Sequence, residues 1–211
     1  MTKIMIAIPC RDKIDVLTVQ SLFNLRGDQS KYRIEFRFGQ GTLVYDTRNK
    51  LARNAVEEGF DYVLWIDSDM VFRPDLLLRM AEVMDNGADY LSALCFRRVA
   101  PFYPVIYKDM GWRESQPYTE VYGDYPEDAL FEIVASGFGC VMTSVAMLKT
   151  LLERYGVPFS PQIGFGEDLT FCANARQAGF RLYCHSGIQV GHIGMQIIDE
   201  ALYKAVNGGK K

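Results

Sequence analysis

The sequence predicts an α/β domain with a mostly parallel central sheet, flanking helices and a small antiparallel section. Over the first 95 residues, strand-like apolar runs alternate with helical patterns, as crossover connections between parallel strands require. Residues 96–130 break this alternation with four prolines and six tyrosines or tryptophans, which is typical of loops and antiparallel strands. The chain has 211 residues, of which 49% are hydrophobic and 23% charged, so it can bury a core as one folded domain.

Four strands and three helices are predicted in the first part of the chain. The run 3–8 is continuously apolar, which suits a strand covered on both faces, whereas 32–38 alternates strictly and suits a half-exposed strand. Pro74 suits the first turn of a helix, and glycines end the helical patterns. The predicted strands are 3–8, 32–38, 61–66 and 89–95, and the predicted helices are 14–25, 45–58 and 74–87, with a loop at 67–73.

The second part is predicted to add antiparallel strands, two helices and a closing pair of strands. The predicted strands are 103–109, 119–123, 130–135, 140–143, 181–185 and 188–192. The helices are 144–155 and 167–179, and the tail from residue 197 is predicted to form a short helix. We see no internal repeat and no linker that would divide the chain.

Composition excludes several classes of protein. A net charge of −3 lacks the basic excess of a dedicated duplex nucleic-acid binder. The five cysteines form no C-x-x-C pair, which argues against a zinc ribbon or a thioredoxin-like site and favours buried, reduced thiols. The N-terminal apolar run suits a strand and is too short for a signal peptide, and no run approaches the roughly 18 apolar residues of a membrane span. We therefore expect a cytoplasmic protein.

The sharpest motif is Asp67-Ser68-Asp69, directly after the strand 61–66. Ligands of open α/β sheets bind outside the carboxyl ends of the strands. Two carboxylates this close repel each other unless a positive charge lies between them. A hard divalent cation satisfies that condition and completes its coordination with substrate phosphates. The alternative is an acidic turn that leads into a helix.

Three further sets of residues are candidates for a chemical role, and each also has a purely structural explanation. Glu167-Asp168 opens a helix, where acids either complement the helix dipole or supply a general base. His192, between two nearby glycines, is either a metal ligand or a polar strand end, and His185 is interpreted as structural. Arg48 lies on a helix and contacts either solvent or a nucleobase or phosphate. Arg97 and Arg98 offer a similar phosphate or acceptor contact.

In chain order, these pieces resemble one family. The segments that carry the resemblance are GFDYVLWIDSDMVFRPDLL, the turn SGFGCVM, GFGEDLTFCANARQAGF and a final V-G-H. They are similar to those of glycosyltransferases with the GT-A fold, above all the inverting family 2 and its small bacterial and phage members. The resemblance covers roughly residues 3–194.

The resemblance implies a metal site and a general base. Asp69 would bind the Mn²⁺ or Mg²⁺ that bridges the donor diphosphate, with His192 completing the metal shell. Asp67 is counted with this metal set and would also contact the ribose or base side of the nucleotide. Asp168 would deprotonate the acceptor hydroxyl, and Glu167 would assist it or hold the acceptor. The residues implied on the nucleotide-sugar side are Pro9, Arg11, Asp12, Arg48, Asp67, Ser68, Asp69 and Gly137, with Gly137-Phe138-Gly139 lining the acceptor side.

The implied activity is metal-dependent transfer of one sugar from a UDP- or GDP-sugar to an acceptor hydroxyl, with inversion. Many family members carry a Q/R-x-x-R-W motif, which we do not find here, so single-sugar transfer is favoured over processive synthesis. We expect one domain with a nucleotide-binding half (1–95), an acceptor half (96–195) and a tail (196–211). The acceptor is unidentified, and the aromatic stretch 103–125 is a candidate for its recognition or simply packs a hairpin.

Two alternatives stay open at this point. A nucleotidyltransferase that makes nucleotide sugars uses a related sheet, but its glycine-rich loop after the first strand is replaced here by PCRDKID. A non-catalytic glycan-binding domain of the same fold is the other alternative.

Overall fold

The computed structural model describes residues 1–194 and 197–207, and within these ranges twelve strands form two sheets and six helices surround them. The strands are β1 (Thr2–Cys10), β2 (Tyr32–Gln40), β3 (Tyr62–Ile66), β4 (Met70–Phe72), β5 (Tyr90–Leu94), β6 (Ile106–Arg113), β7 (Gln116–Val121), β8 (Leu130–Ile133), β9 (Ala135–Ser136), β10 (Cys140–Ser144), β11 (Leu182–Ile193) and β12 (Ile197–Ile198). The helices are α1 (Val16–Phe23), α2 (Val44–Glu57), α3 (Leu76–Asp85), α4 (Val145–Tyr155), α5 (Glu167–Gln177) and α6 (Glu200–Asn207).

The large sheet is mixed, with strand order β12-β11-β5-β10-β3-β1-β2. Strand β1 pairs in parallel with both β2 and β3, and β11 pairs in parallel with β5. Strand β10 lies antiparallel between β3 and β5. The predicted α/β class is therefore confirmed. The small antiparallel section is also present, as the sheet β7-β6-β9.

Apolar cores cover both faces of the large sheet. Met5 and Ala7 of β1 face the core that includes side chains of α2, α4 and α5. Ile4, Ile6 and Ile8 face the opposite core, which is packed by α3 and α1. Both sets of β1 side chains are fully buried. The continuous apolar run at the N-terminus is explained by this burial on both faces.

Apart from shifted bounds, such as β6 and β7 in place of the predicted strands 103–109 and 119–123, three differences from the predicted elements stand out. The predicted loop 67–73 contains β4, which pairs antiparallel with β11. The two closing strands form one strand, β11, with a register irregularity between His185 and Gln189. The predicted strand 130–135 divides into β8, paired with β11, and β9, paired with β6. These differences have one cause, because each depends on a pairing partner distant in sequence.

Both predicted halves contribute strands to the same large sheet, since β10 and β11 lie beside β3 and β5. The assignment of nucleotide and acceptor roles to the ranges 1–95 and 96–195 stays a prediction. Of the predicted tail, 197–207 contains β12 and α6, and 196 and 208–211 lie outside the described residues. No helix in the described part of the chain is both long and apolar enough to cross a bilayer. All five cysteines are unpaired, and four of them are buried.

Candidate active site

A cleft of about 290 Å³ lies where β1 and β3 end and α2 and α5 begin. Its position at the carboxyl ends of parallel strands is the place where α/β sheets bind ligands. Most of the predicted site residues line it, namely Pro9, Arg11, Arg48, Asp67, Ser68, Asp69, Glu167 and Asp168. Residues from four separate segments of the chain therefore meet in one cavity.

Arg48 joins two of the predicted acids from the floor of this cleft. Its Nη2 lies 2.7 Å from Oδ1 of Asp67, and its Nη1 lies 2.5 Å from Oε1 of Glu167. The Arg48 side chain is only 4% exposed, so its solvated-face alternative is excluded. Its guanidinium also lies 5.4 Å from the ring centroid of Phe138. Each of the two carboxylates is thereby held in place by a buried cation.

The electrostatics of this triad reflect its burial. Burial by itself would lower the pKa of Arg48, but the charges of Asp67 and Glu167 outweigh this effect and raise it. For Asp67, burial raises the pKa, and the attraction of Arg48 opposes the rise only in part. The Nε of Arg48 is buried and has no hydrogen-bond partner among the residues that the structure describes. A buried donor without a partner is costly, so Arg48 is held there by its ion pairs.

Asp69 lies beside His192 because β4 pairs with β11. His192 is opposite Met70 in this pairing, and the backbone N–H of Ile193 donates to the carbonyl oxygen of Asp69 over 2.8 Å. Oδ2 of Asp69 lies 3.5 Å from Nε2 of His192 and 2.7 Å from Nη1 of Arg98. Burial alone would raise the pKa of Asp69, but the hydrogen bond and charge of His192, together with Arg98, lower it.

The orientation of the His192 ring is set by Nδ1, the ring nitrogen that does not face Asp69. Nδ1 lies 3.0 Å from the carbonyl oxygen of Phe96, which can only accept a hydrogen bond. Nδ1–H therefore donates to this carbonyl, and Nε2 faces Asp69, as a donor when the ring is protonated and with a free lone pair when the ring is neutral. Metal-binding histidines have this arrangement, with one nitrogen donating to a carbonyl and the other free to bind.

Asp168 is the third carboxylate group of the site. Its Oδ1 accepts a hydrogen bond of 2.8 Å from the backbone N–H of Leu169, at the first turn of α5. Burial raises the pKa of Asp168 above the ordinary value, although this hydrogen bond opposes the rise. Oδ2 lies 3.7 Å from the point where a Cβ on Gly137 would be. That distance is an ordinary van der Waals contact, and the close approach at Gly137 is instead to Cγ1 of Val105, 2.7 Å from the same point.

Three predicted site residues have other positions. Asp12 is exposed and does not line the cleft, and Gly137 packs against Val105 while its neighbour Phe138 lines the cleft. His192 reaches the site through Asp69 rather than as a lining residue. Among the described residues, no three His, Cys, Asp or Glu side chains are close enough to hold one ion together. Of the predicted metal set, Asp69 and His192 face each other, whereas Asp67 binds Arg48, and the assignment of a metal to these residues stays a prediction.

Some lining residues were not predicted. Gly41, Thr42 and Val44 line the cleft where β2 passes into α2, and Cys10 lines it at the end of β1. Gly39 and Gly41 were recognised only as a break in the strand pattern. The start of α2 directly after these glycines was the signal that could have identified this segment, because helix N-termini often face ligands.

A family comparison agrees with this geometry. The family model described as Glycosyl transferase family 2 matches residues 19–151, which is more than half of the chain. The chain belongs to glycosyltransferase family 2. The expected resemblance is thereby confirmed, and glycosyl transfer is the activity class of the family.

Relatives of this family 2 chain extend beyond its length. It is 27% identical over 112 residues to the mannan polymerase complex subunit mnn9 of Schizosaccharomyces pombe. The aligned region covers 53% of this chain and 32% of that protein. The chain therefore spans about a third of this curated relative.

Solved structures share the fold. A197 from STIV superimposes with a TM-score of 0.64 at 16% identity, covering 92% of this chain and 86% of that one. GalNAc-T7 with UDP, GalNAc and Mn²⁺ gives 0.64 at 11% identity, with 92% and 44% covered. Residues 1–349 of S. aureus TarS with UDP-GlcNAc give 0.54 at 14% identity, with 88% and 56% covered. The family 2 domain thus has the GT-A fold.

Proposed function

We propose that this family 2 domain transfers a single sugar from a nucleotide-diphosphate sugar to an acceptor hydroxyl, with a divalent metal ion and with inversion. One observation carries the proposal: a single strand-end cleft contains Asp168, with a raised pKa, and Asp69, which is paired with His192. Two structural neighbours support the donor class, since GalNAc-T7 was solved with UDP, GalNAc and Mn²⁺ and TarS with UDP-GlcNAc.

Asp69 and His192 fit a metal ion. Their facing atoms, a carboxylate oxygen and an imidazole nitrogen with its lone pair, form a mixed donor set. Such a set favours Mn²⁺ over Mg²⁺, because Mg²⁺ prefers oxygen ligands. Two protein ligands leave positions for diphosphate oxygens. When bound, such an ion supplies charge that stabilises the departing diphosphate.

Asp168 is the proposed general base. As the acceptor oxygen forms its bond to the anomeric carbon, Asp168 accepts the hydroxyl proton, and the bond from that carbon to the diphosphate oxygen breaks. Attack from the face opposite the leaving group inverts the anomeric configuration. A raised pKa makes this carboxylate a better base than an exposed aspartate. Glu167 is held by Arg48 and is better suited to position groups than to accept a proton.

Arg48 and Asp67 are proposed to shape the nucleotide side of the cleft. The ion pair fixes the Asp67 carboxylate at 2.7 Å from Arg48, so one carboxylate oxygen is oriented before any ligand binds. A preoriented acceptor of hydrogen bonds suits the ribose hydroxyls. Pro9 and Arg11, at the end of β1, and Ser68 line the same cavity and complete this side.

Isothermal titration calorimetry of the whole chain with UDP and with GDP, each with and without Mn²⁺, tests the proposal. We expect one nucleotide to bind more tightly with Mn²⁺, and Asp69→Ala to abolish that gain. Asp75→Ala, which removes a half-exposed carboxylate outside the cleft, is the matched control. Asp168→Asn should retain donor binding and lose transfer. Failure of both nucleotides to show metal-dependent binding would refute the proposal.

Product analysis distinguishes the proposed transfer from the two alternatives that the sequence left open. Release of pyrophosphate from a nucleoside triphosphate would indicate a nucleotidyltransferase, and glycan binding without any product would indicate a non-catalytic domain. The cytoplasmic location stays a prediction. So does the UDP- or GDP-sugar donor.

A further inference from the structure

A second cavity lies on the other side of α5 from the cleft. Its volume is about 420 Å³, which is within the range of small-molecule sites. Its lining includes Trp112 of β6, Gln162 and Phe165 of the loop before α5, and Arg176 and Gln177 of α5. We call this cavity the aromatic groove. It shares no lining residue with the cleft in the part of the chain that the structure describes.

The wall of the aromatic groove is preorganised by the loop before α5. Gln162 and Phe165 exchange two backbone hydrogen bonds of 3.0 Å, which close the turn between them. Gly164 in this turn has a φ of +88°, and a Cβ there would lie 2.5 Å from Cγ of Pro117. Only glycine allows this close approach to the β6–β7 hairpin. The turn is thereby held against the strand pair that carries Trp112.

Trp112 presents an aromatic surface to the groove. Its side chain is 51% exposed, and its ring meets Phe165 edge to face, with the centroids 5.7 Å apart. In an edge-to-face contact neither ring covers both faces of the other, and because about half of Trp112 is exposed, an indole face is open to a ligand. The apolar C–H face of a pyranose ring packs well on such a face, whose electron density attracts the polarised C–H groups.

Planar polar side chains surround this aromatic surface. Oε1 of Gln177 accepts a hydrogen bond of 3.0 Å from Tyr155, so its Nε2 remains as the donor. Arg176 and Gln162 are exposed and add further donors, and Gln162 adds an amide oxygen. The lining contains no carboxylate, unlike the cleft. An aromatic face bordered by planar hydrogen-bonding groups is complementary to sugar hydroxyls and sugar C–H faces together.

We propose that the aromatic groove binds a glycan, namely the sugars of the acceptor that lie beyond the reacting one. Its role as an acceptor subsite rests on the proposed function. Phe165 is two residues from Glu167, so their Cα atoms are within roughly 7 Å of each other. An oligosaccharide can therefore span from the groove to the cleft along the start of α5. The inferred acceptor class is an oligosaccharide or a glycoconjugate.

Tryptophan fluorescence of the whole chain gives a direct test. The chain has two tryptophans, and Trp65 is fully buried, so a ligand-induced change in emission reports Trp112. The probes are four linear tetrasaccharides, each made of glucose, mannose, galactose or N-acetylglucosamine. We expect at least one to change the emission saturably, and its monosaccharide to do so at far higher concentrations. No response to any of the four would overturn the proposal.

Calorimetric titration of variants with the tetrasaccharide then tests whether it binds at Trp112. Trp112→Ala should weaken tetrasaccharide binding about tenfold or more, and Trp112→Phe should retain part of it. The matched control is Phe23→Ala, which removes an 87% exposed aromatic from α1 on the opposite face of the sheet. Equal affinity of Trp112→Ala and wild type would place the glycan elsewhere. UDP binding with Mn²⁺, measured on the same samples, bears only on the proposed function, so the two failures are distinguishable.

Discussion

Nη1 of Arg48 and Oε1 of Glu167 lie 2.5 Å apart, although 119 residues separate them in the sequence. This ion pair connects the first turns of α2 with the first residue of α5. The same guanidinium holds Asp67 at the end of β3. One buried arginine therefore ties together three of the four elements that form the cleft.

Replacing this arginine tests how much the cleft depends on it. Arg48→Met leaves Asp67 and Glu167 without their cation in a buried site, so we expect the free energy of unfolding to fall by about 3–5 kcal/mol. Urea unfolding measures this change. Arg33→Met is the control, because Arg33 is 64% exposed in its pair with Glu35 and should cost about 1 kcal/mol or less. Similar losses in the two variants would contradict a stabilising role for Arg48.

The raised pKa of Asp168 predicts that the ionised carboxylate, which the proposed transfer requires, makes the folded protein less stable. Burial raises the pKa of Asp168 in the folded protein above its value in the unfolded chain, which is about 3.9. The protonated form therefore contributes stability that is fully present below the unfolded pKa. This stability is lost as the pH rises through the folded pKa. Asp168→Asn should therefore melt at a higher temperature than wild type at pH 7, and at the same temperature near pH 3. Thermal melts across this range measure the difference.

The same raised pKa determines the acid side of the wild-type activity profile. Transfer should increase with pH as Asp168 loses its proton, at a pH above that of an ordinary aspartate. Asp124→Asn is the control for both measurements, since Asp124 is 78% exposed and lies outside the cleft. A stability difference that does not change with pH would argue against the raised pKa.

His192 is expected to control the metal dependence. His192→Ala removes the nitrogen that faces Asp69, and we expect the apparent affinity for Mn²⁺ in the presence of UDP to fall by about 10- to 100-fold. The control is His185→Ala on the same strand, where Nδ1 accepts a hydrogen bond from the backbone of Gly187. Titration of Mn²⁺ into each variant with saturating UDP measures the effect. Equal affinities in the two variants would exclude His192 as a ligand.

Arg98 is expected to compete with a metal ion for Asp69. Its Nη1 lies 2.7 Å from Oδ2, the same oxygen that His192 faces. Because such an exposed ion pair is worth up to about 1 kcal/mol, Arg98→Gln should strengthen Mn²⁺ binding in the absence of nucleotide by up to about fivefold. Arg97→Gln, which removes a 3.1 Å hydrogen bond to Tyr107, is the control. Weaker binding by Arg98→Gln would contradict the competition.

Much of the fold could be predicted because its signals are local. The run 3–8 was predicted as a strand covered on both faces, and β1 is buried on both faces. The helix predicted over 144–155 is present as α4, and Ser144 caps its start because the Ser144 hydroxyl accepts a hydrogen bond from the backbone N–H of Met147. Strand β4 was missed because three residues carry too weak a pattern, and only their pairing with β11 makes them a strand.

Local sequence patterns are enough to place acidic residues at the ends of elements: Asp67 and Asp69 after a buried strand, and Glu167 and Asp168 at the start of a helix. The partners of these residues follow from the tertiary structure. It gave Asp67 and Glu167 to Arg48, left Asp69 to His192 and Arg98, and left Asp168 with a raised pKa. Periodicity and capping act over a few residues, whereas burial and ion pairing depend on strand order and register, which bring together side chains from distant segments.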